Sequence, residues 1–395
     1  MNHPTEPQNL ILRFPKVVLL LVALLLVTVG CREQTRTENK LAKDINAVQD
    51  LDSKLTLSDV TLEQADERGQ LLWRVKSKQA TYSKDQKIVN LQSPKGGLFQ
   101  DGKEVYQIEA KTGLVNQDGN QIFLKGDIVA TDPRNGVVLR GNELDWKPKE
   151  DILIVRNNLT GEHKQITASA KEARVFSRTK RMELYGQVVA NMKDPVMQLR
   201  TDELIWLLAQ EKAIANHPTQ IDKFQGKQVT DRAFADQADV DLKLKIINLT
   251  KNAQLLPSDP PLQIDSQLMS WNLPAKMVVS PGRVTVLHRV EKVTMTGDRG
   301  RGDLQQSIFY LTGNVLGVGQ KRTSQVNSDQ LTWYFKKQTF DAVGNVVYRQ
   351  LNPLFNLIGP KASGQLKDQT VVVQGNGSGG QVVTEIVPEE QKKLQ

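Results

Sequence analysis

Four tryptophans in this chain hold a fixed register, and that register restricts the fold to a tandem array. Leu124, Gly126 and Ile128 lie 22, 20 and 18 residues before Trp146 (146 minus 124, 126 and 128). The same offsets before Trp206 give Leu184, Gly186 and Val188, and before Trp333 they give Leu311, Gly313 and Val315. Before Trp271 they give Leu249, Lys251 and Ala253, a copy that keeps the leucine and loses the glycine. Two residues before each tryptophan stand Leu144, Leu204, Met269 and Leu331. The repeat is thus 60 to 65 residues long (the differences between positions 146, 206, 271 and 333). Repeats of this kind lengthen a molecule without enlarging one central core.

Within a copy the apolar spacing has period two, the mark of a half-buried strand. Ile122, Leu124, Ile128 and Ala130 fall on one face; Phe123, Lys125, Asp127 and Val129 fall on the other, wetter one. Glycine inside a strand marks a bulge or bend, so Gly126, Gly186 and Gly313 predict one bend per repeat. A weaker half-repeat follows each tryptophan, as in Leu153, Val155, Asn157 and Leu159, or Phe340, Ala342, Gly344 and Val346. Each half is about one antiparallel strand pair. Turn signals such as Asp101-Gly102, Asp118-Gly119, Pro133–Gly136 and Arg178–Lys180 separate short strands throughout, which indicates an all-β protein. Glu203–Ala215 has helical composition, but its register with the other copies predicts strand. The Trp271 copy is the irregular one, and any kink or division of the array is expected there.

The N-terminus carries a different signal. Arg13 and Lys16 precede an apolar run from Val17 to Val29, then Gly30 and the chain's single cysteine, Cys31. A basic region, a short apolar region and a small residue at the cut form a secretory signal. The run is shorter than the ~20 residues of a spanning helix. Cys31 after Gly30 resembles the lipid-attachment cysteine of a bacterial lipoprotein, although Thr28 stands where an aliphatic residue is usual. The alternative is an uncleaved signal anchor. Either way the membrane is reached through the N-terminus. The expected organisation is residues 1–30 signal or anchor, 31–54 polar tether, 55–387 repetitive β-array and 388–395 loose tail.

Apolar content of 39% with only 5% aromatic residues suits a thin layered structure. A net charge of +8, spread along the chain, favours anionic surfaces such as phosphorylated glycolipid. No recognition helix or aromatic–basic motif points to nucleic acid. His163, His217 and His288 are far apart, with no pair spaced for a metal, and read as surface residues. No serine lies in a nucleophile elbow, Arg301-Gly302-Asp303 is too short to signify adhesion, and no cofactor motif is present. No enzyme is expected. The tryptophans either fill the core of their layers or line a groove for an apolar ligand.

Leu184-Tyr185-Gly186-Gln187-Val188 and Leu311-Thr312-Gly313-Asn314-Val315, with Gly344-Asn345-Val346, resemble the recurring strand motif of the OstA-like superfamily of periplasmic lipopolysaccharide transport proteins. Ile166–Val175, placed before such a strand, is also similar. The tethered N-terminus resembles LptC, the inner-membrane-anchored member, in a longer form of cyanobacterial type. The resemblance spans Leu55 to Val387 and implies an elongated open β-jellyroll with an apolar groove. It implies a periplasmic protein at the inner membrane that accepts lipopolysaccharide from the subunits of an ABC transporter. An LptA-like bridge protein would then add a strand at the C-terminal edge, Val371–Ile386, while Leu55–Val75 docks on the transporter. The groove residues would be Leu124, Ile128, Trp146, Leu184, Val188, Trp206, Leu311, Val315 and Trp333. A polysaccharide-binding or polysaccharide-cleaving β-solenoid is the competing reading.

Overall fold

The computed structural model describes residues 55–116, 121–319, 324–351, 354–365, 370–375 and 383–386. The signal, Cys31, the tether and the tail lie outside these residues, as does the expected turn at Asp118-Gly119. Among the described residues every strand pairing is antiparallel, and 28 strands form one continuous sheet. Seven rungs consist of two short strands in line, as in Lys212–Ala215 with Thr219–Gln225, so the 28 strands make 21 rungs. Successive rungs pair with one another from Leu55–Ala65 to the C-terminal pair Thr370–Gln374 and Val383–Ile386. The sheet does not close into a barrel: Leu55–Ala65 pairs only with Leu71–Tyr82 among the described residues.

Alternate rungs carry a bulge, a left-handed residue or a break near the middle, and there the sheet is creased lengthwise into two facing leaves with the core between them. The crease has a local cause. In Ile122–Thr131, Gly126 and Asp127 both take positive φ, 79° and 46°. The pair adds one residue to the ladder: Lys125 opposes Glu143, and Ile128 opposes Gly141. Such a bulge bends the strand. The same double left-handed step recurs at Gly186-Gln187, Gly313-Asn314 and Gly344-Asn345. Glycine takes this conformation without steric cost, and asparagine tolerates it. Asparagine also supplies a donor here. Asn314 Nδ2 donates to Asp298 Oδ2 at 2.6 Å and Asn345 Nδ2 to Asp329 Oδ2 at 2.9 Å, each on the preceding rung. The Gly-Asn-Val motif is therefore a crease motif.

The bulge also occurs where the glycine is missing. Lys251 and Asn252 have φ of 61° and 50°, with the same one-residue shift between Thr250 and Ala253. The backbone N–H of Asp236 donates to the Lys251 carbonyl, and Asn252 Nδ2 donates to Asp236 Oδ2 at 2.8 Å. The Trp271 copy thus keeps the bulge that its missing glycine marks elsewhere. Glu203–Ala215 is strand, interrupted only by one 3-10 turn at Leu208–Gln210.

Ile122, Leu124, Ile128 and Ala130 are all buried between the leaves, as their spacing predicts. Phe123 departs from the pattern, being buried on the other face. There it stands cross-strand from Asp145, which in turn opposes Ile154, and all three are shielded. Gly302 of the Arg-Gly-Asp tripeptide has a packing role: a Cβ there would lie 2.8 Å from the buried Phe309 ring.

Candidate functional site

The tryptophans occupy one station in the array. Numbering rungs from Leu55–Ala65 as the first, Trp146, Trp206, Trp271 and Trp333 fall on rungs 6, 10, 14 and 18, each one residue from the outer end of its strand. That end is the lip of one leaf, which we term the first. Trp73 belongs to the series too, on rung 2, but near the start of Leu71–Tyr82 and so on the lip of the second leaf. Residue offsets miss this fifth member because it sits at the opposite end of its strand: the position one residue from the end of Leu71–Tyr82 is Thr81, 65 residues before Trp146 (146 minus 81).

Cross-strand neighbours make an apolar row along the first leaf. Trp146 lies between Ile122 and Leu153, Trp271 between Ile247 and Val278, and Trp333 between Phe309 and Phe340. Trp206 opposes Met182. Nearer the crease, Leu124, Leu184 and Leu311 precede the bulge on this leaf, while Ile128, Val188 and Val315 follow it on the second. All nine residues of the expected groove face the interior, and the most exposed, Trp206, is only 7% accessible. Trp206 also borders an enclosed apolar crevice of about 20 Å³ with Leu139, Ile166, Met182 and Leu184.

Opposite the crease the two lips meet. An aromatic ring from the second leaf covers an indole of the first at three places: Tyr106 on Trp146 at 6.1 Å, His163 on Trp206 at 5.1 Å and His288 on Trp333 at 6.2 Å between centroids. Polar contacts join the hairpin tips across the same seam. Arg178 pairs with Asp101 at 3.0 Å, Gln165 donates to Glu211 at 3.2 Å, Lys245 pairs with Asp194 at 2.9 Å and Gln338 donates to Glu291 at 3.5 Å. Ser177 Oγ donates to the buried Tyr106 hydroxyl at 3.1 Å. Burial pushes the Tyr106 phenol up to about 12 and holds the His163 and His288 imidazoles below their ordinary value. Both histidines are thereby favoured neutral. His163 and His288 are accordingly not simple surface residues. His217 is exposed and sits 3.1 Å from Glu203.

Among the described residues no group of histidine, cysteine and acidic side chains is placed to hold a metal. The family profile described as LptC, "Lipopolysaccharide-assembly, LptC-related", matches residues 18–153 and, end to end with that, 151–230. The chain belongs to this family. Its members serve lipopolysaccharide transport in the cell envelope. The match includes the rungs bearing Trp73, Trp146 and Trp206, and the same architecture continues beyond it to Ile386. A search of functionally curated proteins finds no match. Among the described residues no helix is long and apolar enough to cross a membrane.

Proposed function

We propose that the space between the leaves is a path for the acyl chains of lipopolysaccharide, with the saccharide left outside the seam. The observation that carries this reading is the unbroken inward row of apolar side chains, from Trp73 through Trp146, Trp206 and Trp271 to Trp333. An acyl chain crossing water exposes ~0.8 kcal/mol per CH₂. A chain of a dozen carbons is therefore disfavoured by about 10 kcal/mol when bare, and an apolar cover removes most of that. A path needs continuity more than tight binding, and a tandem array supplies continuity. In this reading Leu124, Ile128, Trp146, Leu184, Val188, Trp206, Leu311, Val315 and Trp333 touch the chains once the lips part.

The remaining parts follow from chain order. Cys31, acylated, would hold the protein on the inner membrane, facing the periplasm. Leu55–Ala65, whose outer edge is unpaired among the described residues, would dock on an inner-membrane ABC transporter. The C-terminal rung, Thr370–Gln374 with Val383–Ile386, would accept a strand from an LptA-like bridge protein, since a free edge is a template for strand addition.

Site-specific photo-crosslinking tests the path. Probes replacing Leu124, Val188 and Leu311 should capture labelled lipopolysaccharide in cells, and probes at Lys125 and Gln187 should not. Equal capture from both faces, or none from the inner one, would refute the interior path.

A further inference from the structure

Trp73, Trp146, Trp206 and Trp333 share a second property: the indole N–H of each is buried and has no acceptor. Buried donors are nearly always paired, and an unpaired one lowers stability. Phenylalanine would fill an apolar layer without that penalty, and the chain uses it at Phe309 and Phe340, cross-strand from Trp333. The unpaired donors are also not scattered. They lie on every fourth rung except that of Trp271, always at a lip and never at the crease.

The lip is where an amphiphile changes character. With its chains between the leaves and its headgroup outside, the carbonyl and hydroxyl oxygens near the head of each chain lie at the level of the indoles. Tryptophan serves the same purpose at membrane interfaces, where one end of the ring is apolar and the N–H meets a polar partner. We propose that the unpaired indole N–H groups are hydrogen-bond donors to the ester carbonyl or hydroxyl oxygens of bound acyl chains, so that the path favours oxygen-bearing chains over plain alkyl ones. This inference rests on the interior path proposed above. It assigns the tryptophans a recognition role beyond filling space.

The test uses the full-length protein and a matched pair of glycerol lipids, one ester-linked and one ether-linked, with the same chain. Affinity is read by displacement of a fluorescent fatty-acid probe. One neutral hydrogen bond should favour the ester lipid by roughly threefold to tenfold. The triple variant Trp146→Phe, Trp206→Phe, Trp333→Phe should bind ester and ether lipids equally, the readout being the ratio of the two affinities and not either affinity alone. Because phenylalanine is smaller, benzothienylalanine at the same positions provides a second variant that keeps the bicyclic shape and lacks the N–H. It too should lose the preference. Equal binding of the two lipids by the unaltered protein, or a preference that survives in both variants, overturns the inference and leaves the path intact. Failure of the unaltered protein to bind either lipid overturns both.

Discussion

Lys245 and Asp194 belong to hairpin tips on opposite leaves, and they meet across the seam with Nζ 2.9 Å from Oδ2. The Lys245 side chain is 35% exposed and that of Asp194 83%, and the Arg178–Asp101 pair is also solvent-exposed, at 48% and 64%. Exposed ion pairs contribute about 0–1 kcal/mol each. The seam is thus held by several weak contacts in place of one strong one, which suits lips that must part for a chain to enter. The combined variant Arg178→Ala, Glu211→Ala, Lys245→Ala, Gln338→Ala should lose only a few kcal/mol of stability by chemical denaturation. It should take up a fluorescent acyl lipid several times faster in stopped-flow mixing. Unchanged uptake would mean that these contacts do not limit opening.

The crease makes opposite predictions at two equivalent positions. Gly313 has φ of +77°, and a Cβ there would lie 2.8 Å from an Asp298 oxygen that already accepts from Asn314. Gly313→Ala should destabilise by about 1–2 kcal/mol through the left-handed backbone alone. Lys251 carries that strain in the native chain, so Lys251→Gly should stabilise by up to about 1 kcal/mol. Urea denaturation of the two variants, read by tryptophan fluorescence, checks both signs.

These two residues also show what could be read from the sequence. The register of Trp146, Trp206 and Trp333 revealed the repeat, and period-two spacing placed Leu124, Ile128, Val188 and Leu311 inward. Glycine revealed bulges at 126, 186 and 313. It did not reveal those at Asn157-Asn158 or Lys251-Asn252, because residues other than glycine also reach positive φ, at Lys251-Asn252 with hydrogen bonds to Asp236 on the preceding rung. The seam was not legible for another reason. Asp101 and Arg178 are 77 residues apart, and Gln165 and Glu211 are 46 apart. No local pattern encodes which tips meet when a creased sheet folds shut. For the same reason Tyr106, His163 and His288 carried no sign that they cover indoles.

Tight packing behind the Arg-Gly-Asp tripeptide makes a prediction of its own. A Cβ at Gly300 would lie 2.7 Å from both the Phe309 ring and a Val284 methyl, each fully buried. Overpacking a filled core costs typically 1–3 kcal/mol. Gly300→Ala should therefore destabilise by about that much, whereas the exposed neighbour Arg301→Ala should change stability by less than about 0.5 kcal/mol. Loss of stability in both variants would indicate that Arg301 does more than cover Tyr310, over whose ring its guanidinium lies at 4.7 Å.

The two half-buried histidines make the seam sensitive to acid. Burial holds His163 and His288 below 6.5; Lys164 and Lys193 act on His163 in the same direction, as Arg289 does on His288, while Glu211 and Glu291 oppose it. An unfolded chain protonates its histidines near 6.5. Below that pH the unfolded state binds more protons than the folded one, so stability falls as pH falls. The contribution is complete above 6.5 and is lost as pH drops through the lower folded values. Carboxylates titrate mainly below about 5, and Asp145 and Asp151, which burial raises, act in the opposite sense, so a decline from 7.5 to 5.5 is assigned to the imidazoles. Melting temperature should decline across it, and the variant His163→Phe, His288→Phe should flatten the decline while keeping rings against Trp206 and Trp333. An equally steep decline in that variant would place the acid sensitivity elsewhere.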